Sequence, residues 1–292
     1  MIRLSPPSMI MAGTLFIVAT PIGNLEDITL RALRVLKEAD LIACEDTRHT
    51  RKLLAHYQIS KLTVSYHQHN ERERSAELIK KLEAGLNIAL VSDAGTPLVS
   101  DPGFRVVREA IDRGIPVVPI PGPSALIAAV SASGLSAGEF AFFGFLPARR
   151  SARRARFKEL AEINSTLVFY EAPHRIKETI ADASEVFGNR ECVVARELTK
   201  LHEEFVRGSL SQLELPEAAA RGEIVLLIGP PLQGRAGQTM REPAHSISED
   251  VERLINTDGL DRKSALKRIA RERGISKSDA YRLMIAERGR SK

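Results

Sequence analysis

Ile88-Ala89-Leu90-Val91-Ser92-Asp93-Ala94-Gly95-Thr96-Pro97-Leu98-Val99-Ser100-Asp101-Pro102-Gly103 runs an unbroken apolar segment straight into two successive turn clusters. A short apolar run bounded by turn formers reads as a strand buried on both faces, the habit of a parallel sheet. Gly95 permits a close approach or a positive φ, Pro97 fixes the next turn, and Asp93 is a lone carboxylate at the strand tip. A helix from Phe104 to Arg113 follows, stopped by Gly114. In open α/β sheets ligands gather outside the carboxyl ends of strands, where backbone donors and acceptors are free. Two turn clusters in one long connection therefore read as a binding loop rather than as an ordinary strand-to-helix turn.

The alternation extends outward from this loop. Leu15 to Ala19, Leu41 to Cys44, Leu62 to Tyr66 and Ile115 to Ile120 read as strands, with helices over Thr29–Lys37, Asn70–Ala84 and Ala125–Ala132. Strands separated by helices of this length predict a doubly wound parallel sheet over residues 13–134. Gly134 to Gly138 breaks the pattern, and a second α/β domain is expected over 135–230. Its strands are Phe140–Phe145, Leu167–Tyr170, Glu191–Arg196, His202–Gly208 and Ile224–Ile228. Helices are expected over Ala152–Ile163 and Ile176–Phe187, with a partial helix over Ser209–Ala220. Two strands in direct succession make this second sheet mixed. Residues 1–12 read as a disordered extension, and 231–245 as a linker rich in Pro, Gly and polar residues. Residues 246–292 read as a small all-α domain of helix-turn-helix type, with Gly274 before a capping box at Ser276-Lys277-Ser278-Asp279. That tail is basic from Arg262 to Lys292, which suits a nucleic-acid-facing module or, alternatively, a solvated bundle used in dimer contacts.

The 292 residues are 43% hydrophobic and 27% charged, with a net charge of +5, ordinary for a globular protein and weakly suggestive of an anionic partner. Cys44 and Cys192 are the only cysteines and form no CxxC pair, so a disulfide framework is not expected and a cytoplasmic location is. No apolar stretch reaches the ~18 residues of a membrane span, and no membrane partner is expected. The dinucleotide fingerprint, the Walker loop, the zinc-hydrolase helix and the Gly-x-Ser-x-Gly elbow are all missing from the sequence, and no metal site is expected.

What remains is a set of loops at strand ends, which parallel strands bring to one rim. They are Thr20-Pro21-Ile22-Gly23-Asn24-Leu25-Glu26-Asp27, Glu45-Asp46-Thr47-Arg48-His49, Ser92 to Gly103, and Pro121-Gly122-Pro123-Ser124-Ala125. The second domain adds Tyr170-Glu171-Ala172-Pro173-His174-Arg175 and Ala195-Arg196-Glu197-Leu198-Thr199-Lys200. In this order the series resembles the tetrapyrrole-methylase superfamily, over roughly residues 13 to 230, and within it the bacterial small-subunit rRNA ribose methyltransferases. Where the superfamily carries Gly-Asp-Pro this chain has Ser92-Asp93-Ala94, a departure that fits the rRNA subfamily and points away from porphyrinoid substrates.

The resemblance implies two α/β domains of the class III methyltransferase type, with S-adenosylmethionine in the interdomain cleft. It places cofactor contacts at Ile22, Asp93, Gly95, Thr96, Ser124, Ala125, Tyr170, Ala195 and Ile224. Ser124 would cap a helix N-terminus, which favours negative charge. The implied reaction is 2′-O-methylation of a cytidine ribose in 16S rRNA of the small ribosomal subunit near the decoding centre, by a homodimer. A 2′-hydroxyl is a poor nucleophile at neutral pH, and Glu45, Asp46 and Glu171 are the candidate bases, with no choice among them. Arg48, His174 and Arg175 suit phosphate or base contacts, and the basic run of Arg149, Arg150, Arg153, Arg154, Arg156 and Lys158 reads as an RNA-backbone contact. Two alternatives stand beside this reading: a methyltransferase of a tetrapyrrole precursor or of a diphthamide-type protein substrate, and a ligand-sensing DNA-binding regulator.

Overall fold

The computed structural model describes residues 12–216, 222–231, 247–272, 280–282 and 284, and the chain divides into two compact units after Pro231. In the first unit β1 (Leu15–Val18), β2 (Leu41–Cys44), β3 (Thr63–Ser65), β4 (Ile88–Val91) and β5 (Val117–Ile120) form a sheet in the order β3-β2-β4-β1-β5. Every pairing in it is parallel. β2 and β4 are buried at every position, as their unbroken apolar runs require. The helices α1 (Leu30–Glu38), α2 (Thr47–His56), α3 (Glu71–Glu83) and α4 (Phe104–Asp112) connect the strands. Separate apolar clusters on the two faces, one around Leu78, Leu82 and Val106 and one around Leu36, Ile42 and Leu54, hold them there.

β6 (Phe140–Phe145), β7 (Thr166–Glu171), β8 (Glu191–Arg196), β9 (Glu204–Ser209) and β10 (Ile224–Ile228) form the second sheet, ordered β6-β7-β10-β8-β9. It is mixed: β6 and β7 pair in parallel, and the other pairs are antiparallel. One face is covered by α6 (Arg150–Glu159) and α7 (Ile176–Phe187) through Phe157, Phe169, Ile176 and Ile180. The other face receives α5 (Ala125–Ser133), which follows β5, so Ala129 and Val130 pack with Val168, Val193 and Val225. Arg207 of β9 completes the junction by donating to the terminal carbonyls of α5, Ala132 O at 2.6 Å and Ser133 O at 3.0 Å. An apolar cluster capped in this way fixes the two sheets relative to each other.

Two segments depart from the sequence expectation. Thr47–His49, expected as the end of a loop, opens helix α2 (Thr47–His56), started by Asp46, whose side chain accepts from the Arg48 N–H at 2.8 Å. Ser209 to Pro216 forms no helix: β9 runs to Ser209, a turn follows, and Leu213 and Leu215 meet the core at an extended two-residue spacing. The rest of that expected helix, Glu217 to Ala220, lies outside the described residues.

In the second unit α8 (Ile247–Asp258) and α9 (Arg262–Glu272) pack through Val251, Leu254, Leu266 and Ile269, joined by Ala280 and Met284. Asp261 opens α9 by accepting from Lys263 N at 2.8 Å and Ser264 N at 3.1 Å. Gly274, the capping box at Ser276–Asp279, most of the linker and residues 1–11 lie outside the described residues.

Candidate active site

Hydrogen bonds tie the strand-end loops of the first sheet into one rim. Thr20 and Gly95 exchange backbone bonds of 2.9 and 3.0 Å, and Thr20 Oγ1 donates to Ser92 O at 3.1 Å. Ser92 Oγ donates back to Gly95 O at 3.1 Å, and Thr96 Oγ1 to Pro123 O at 3.3 Å. Gly95 sits at φ +83°, where a side chain would be strained and would lie 3.4 Å from the Ile22 methyl. Leu98 and Ser100 hold φ of +72° and +69° without being glycine. Non-glycine residues in that region cost of the order of 1–3 kcal/mol each and concentrate at functional sites.

Above this rim, between the two sheets, lies a cavity of about 320 Å³, within the ~300–1,000 Å³ usual for small-molecule sites. Ile22, Gly95, Thr96, Ser124, Ala125, Tyr170 and Ile224 line it. The other two residues proposed for cofactor contact do not. Ala195 is fully buried in the apolar cluster beneath the cavity, and Asp93 opens onto a neighbouring chamber. Phe145 and Tyr170 form an apolar wall, their ring centroids 5.5 Å apart, and an irregularity in β6 at Gly144, φ +65°, turns Phe145 out of the sheet. The N-terminus of α5 borders the same cavity, where Ser124 Oγ accepts from Ile127 N at 3.4 Å. A cavity lined by an aromatic pair and a helix N-terminus fits a ligand with a flat apolar part and a carboxylate.

The three candidate bases separate in the structure. Glu171 is buried and fully engaged: Oε1 accepts from Ala172 N at 2.7 Å and from Arg175, and Oε2 accepts from Thr179 at 2.7 Å. It borders the cavity as a fixed strut rather than as a proton acceptor. Asp46 caps α2 and pairs with Arg48 at 2.8 Å, and those hydrogen bonds from Arg48 hold its pKa down at about 2. A carboxylate so acidic is a feeble base. Glu45 keeps a raised pKa, through desolvation first and then the nearby Asp93 charge.

Asp101, read in the sequence only as part of a turn, lines the cavity. Burial first, then the charge of Glu45, push its carboxyl up to about 6, against a hydrogen bond with Ser92. The signal that could have marked it was its place at the end of the long loop, between strained Ser100 and Gly103 at φ +142°. Phe145 was equally unmarked, because its exposure depends on the β6 irregularity.

Of the basic run, Arg153 is withdrawn from the surface. Arg153 is fully buried, with Nη2 at 2.6 Å and Nε at 2.8 Å from Asp182, itself buried. Arg150 pairs with Asp182 at 2.8 Å and Glu185 at 2.9 Å, and Arg154 with Glu185 at 2.7 Å. Burial raises the Asp182 pKa, but the hydrogen bonds and charges of Arg150 and Arg153 overcome it and leave it low. Arg153 clamps α6 to α7 from the interior, and Arg150 and Arg154 pair with the same helix from the surface. Arg149 is exposed at the start of α6. Arg175 is tied to Glu171, while His174 is exposed beside it. Arg48 is exposed and turned back onto Asp46.

Comparison with known proteins agrees with this architecture. The family model of Tetrapyrrole (Corrin/Porphyrin) Methylases matches residues 14–214, and the chain belongs to that family of methyltransferases. It is 47% identical to "Ribosomal RNA small subunit methyltransferase I" of Halalkalibacterium halodurans, over 94% of this chain and 96% of that one. It is 46% identical to the protein of the same name in Pseudomonas aeruginosa, over 96% and 99% respectively. The uroporphyrin-III C-methyltransferase of Thermus thermophilus complexed with S-adenosylhomocysteine shares the fold, with a TM-score of 0.52 and 21% identity over 74% of this chain and 97% of that one. Among the described residues no helix is long and apolar enough to cross a membrane.

Proposed function

We propose that this chain transfers the methyl group of S-adenosylmethionine to rRNA, at the ribose 2′-hydroxyl of a cytidine in the 16S rRNA of the small subunit, near the decoding centre. The observation that carries the reading is the cavity between the sheets, with an aromatic wall, a helix N-terminus and a carboxyl of raised pKa on one lining. The chain's length and near-complete alignment with relatives named as rRNA methyltransferases support the substrate class. A cytoplasmic homodimer belongs to the same reading, with exposed Leu30, Phe104 and Leu201 as apolar surface available to an interface; the mass in solution tests it.

Bound S-adenosylmethionine supplies a methyl group already activated on a sulfonium. The chain's residues then have to bind, align and deprotonate. Ser124 and Ala125, at the positive end of α5, hold a carboxylate. Ile22, Phe145, Tyr170 and Ile224 exclude water and pack against a flat ring. Thr96 offers its backbone at the carboxyl end of β4, beside the close approach that Gly95 permits. Holding the hydroxyl about 3 Å from the methyl carbon supplies much of the acceleration, since alignment replaces a bimolecular encounter. Asp101 would accept the hydroxyl proton as oxygen bonds the methyl carbon and the carbon–sulfur bond breaks, the sulfur leaving as a neutral thioether. With a pKa of about 6 it is mostly ionised at neutral pH yet more basic than an ordinary aspartate. Its protonation as pH falls through that value switches the base off, so the rate rises with pH across it. Labelled S-adenosylmethionine incubated with unmethylated small subunits tests the reading: label on a cytidine ribose of 16S rRNA supports it, and label on a base, on protein or nowhere sinks it.

A further inference from the structure

Helix α2 presents one face to a second chamber, of about 450 Å³, next to the first. Ile22, Ala94, Gly222 and Glu223 line both spaces, which therefore meet along one wall. His49, Lys52, Leu53 and His56 fall at i, i+3, i+4 and i+7, a single stripe of a 3.6-residue helix, and all of them line the chamber. The arginines of α2 are engaged elsewhere, Arg48 with Asp46 and Arg51 with the Thr63 hydroxyl at 3.1 Å. Lys200, across the chamber, is bonded to Glu197 at 3.0 Å. Lys52, exposed at the mouth of the chamber, has no ion-pair partner among the described residues.

We propose that this chamber is the subsite for the phosphodiester next to the target ribose, with Lys52 as the ion partner of the phosphate and His49 and His56 as hydrogen-bond donors. The proposal rests on the reading that the methyl acceptor is an RNA ribose. A ribose whose hydroxyl faces the cofactor cavity carries a phosphate only a few bonds away, and the adjoining space has to accept that charge. Here a cation and two imidazoles stand on one rigid helix face, a geometry that positions a strand without reading its sequence. Glu223 borders both spaces, and Asp93 lines the second beside Ala94, which also borders both. Asp93 Oδ1 accepts from Asp46 N at 3.0 Å, which fixes its charge in place. Those two carboxylates repel a phosphate from the cofactor side and so set which way the strand enters. Pro21, Leu25 and Leu53 supply an apolar floor for the base.

Steady-state kinetics on unmethylated small subunits across a salt series test the subsite with Lys52→Ala, Lys52→Arg, the double variant His49→Gln/His56→Gln, and exposed Lys37→Ala as control. Lys52→Ala is expected to raise KM about tenfold and to lower the salt slope of log KM by about 0.7, the contribution of one single-strand phosphate contact. The saturating rate, the S-adenosylmethionine affinity measured by calorimetry and the melting temperature should hold. Lys52→Arg restores the slope, the histidine double variant raises KM, and Lys37→Ala changes nothing. An unchanged KM and salt slope in Lys52→Ala, with the wild type labelling rRNA ribose normally, overturns the subsite alone. A wild type that labels no rRNA ribose overturns the reading beneath it.

Discussion

Two basic helices carry opposite lessons. α6 is the denser in charge, with Arg149, Arg150, Arg153, Arg154, Arg156 and Lys158 at or just before its start and along its length, yet its central arginines are spent on Asp182 and Glu185 of α7. α2 carries fewer cations, but Lys52 faces a cavity without an ion partner among the described residues. What separates the two is pairing. A buried arginine bound to a carboxylate holds helices together, because removing one partner strands the other's charge. An unpaired lysine on a chamber wall keeps its charge for something that arrives from outside.

The sharpest way to widen that contrast is through the carboxylates. Asp101→Asn should cut the saturating methylation rate about 100-fold or more, the usual loss of a general base, while the melting temperature stays or rises, because a desolvated acid has been replaced. Glu171→Gln should do the reverse, lowering the melting temperature by loosening Arg175 and Thr179 more than it lowers the rate per folded molecule.

Next comes the clamp. Arg153→Ala should destabilise the fold by about 3 kcal/mol, by leaving the buried Asp182 with only the exposed Arg150 as counter-charge, as read from denaturant unfolding. The salt slope of RNA binding should not move. The Arg150→Ala/Arg154→Ala double variant should likewise leave the slope intact, whereas Lys52→Ala flattens it. If the α6 variants changed the slope and Lys52 did not, the contrast would be inverted.

The smallest effect belongs to Asp46. Its native pKa of about 2 lies below the unfolded value, so its stabilisation is present above the ordinary carboxylate range and is lost as pH falls toward 2. Asp46→Asn should keep the α2 cap and abolish that acid-dependent part, visible as a slightly shallower fall of the melting temperature between about pH 4 and pH 2.

Much of this was legible in the amino-acid order, because the signals are local. Strands buried on both faces show as apolar runs, and Ile88 to Val91 and Ile224 to Ile228 stand in the fold at their expected bounds. Thr29 and Ser124 cap the helices they precede. α2 was hidden because Thr47–His56 buries little beyond Thr50 and Leu54, too few apolar positions to reveal a period. The role of Arg153 was hidden because its partner Asp182 lies 29 residues on, in a helix whose placement only the packed sheet decides. Asp101 looked like turn material, since Asp-Pro-Gly is ordinary in turns. Its raised pKa comes first from burial and then from Glu45 and Asp93 brought to the same rim from elsewhere in the chain, which no local pattern encodes.

The central claim is that the cavity above the β4 loop serves transfer of a methyl group to an RNA ribose with Asp101 as the base. The pH dependence of single-turnover methylation of small subunits, wild type against Asp101→Asn, with the product located by mass spectrometry of nuclease-resistant dinucleotides, tests it most directly. The expected outcome is a 2′-O-methylcytidine product, a wild-type rate that climbs through about pH 6 to a plateau, and a variant that is slow and flat across the same range. A variant that keeps the wild-type rate and profile, or a methyl group found on a base, would contradict it.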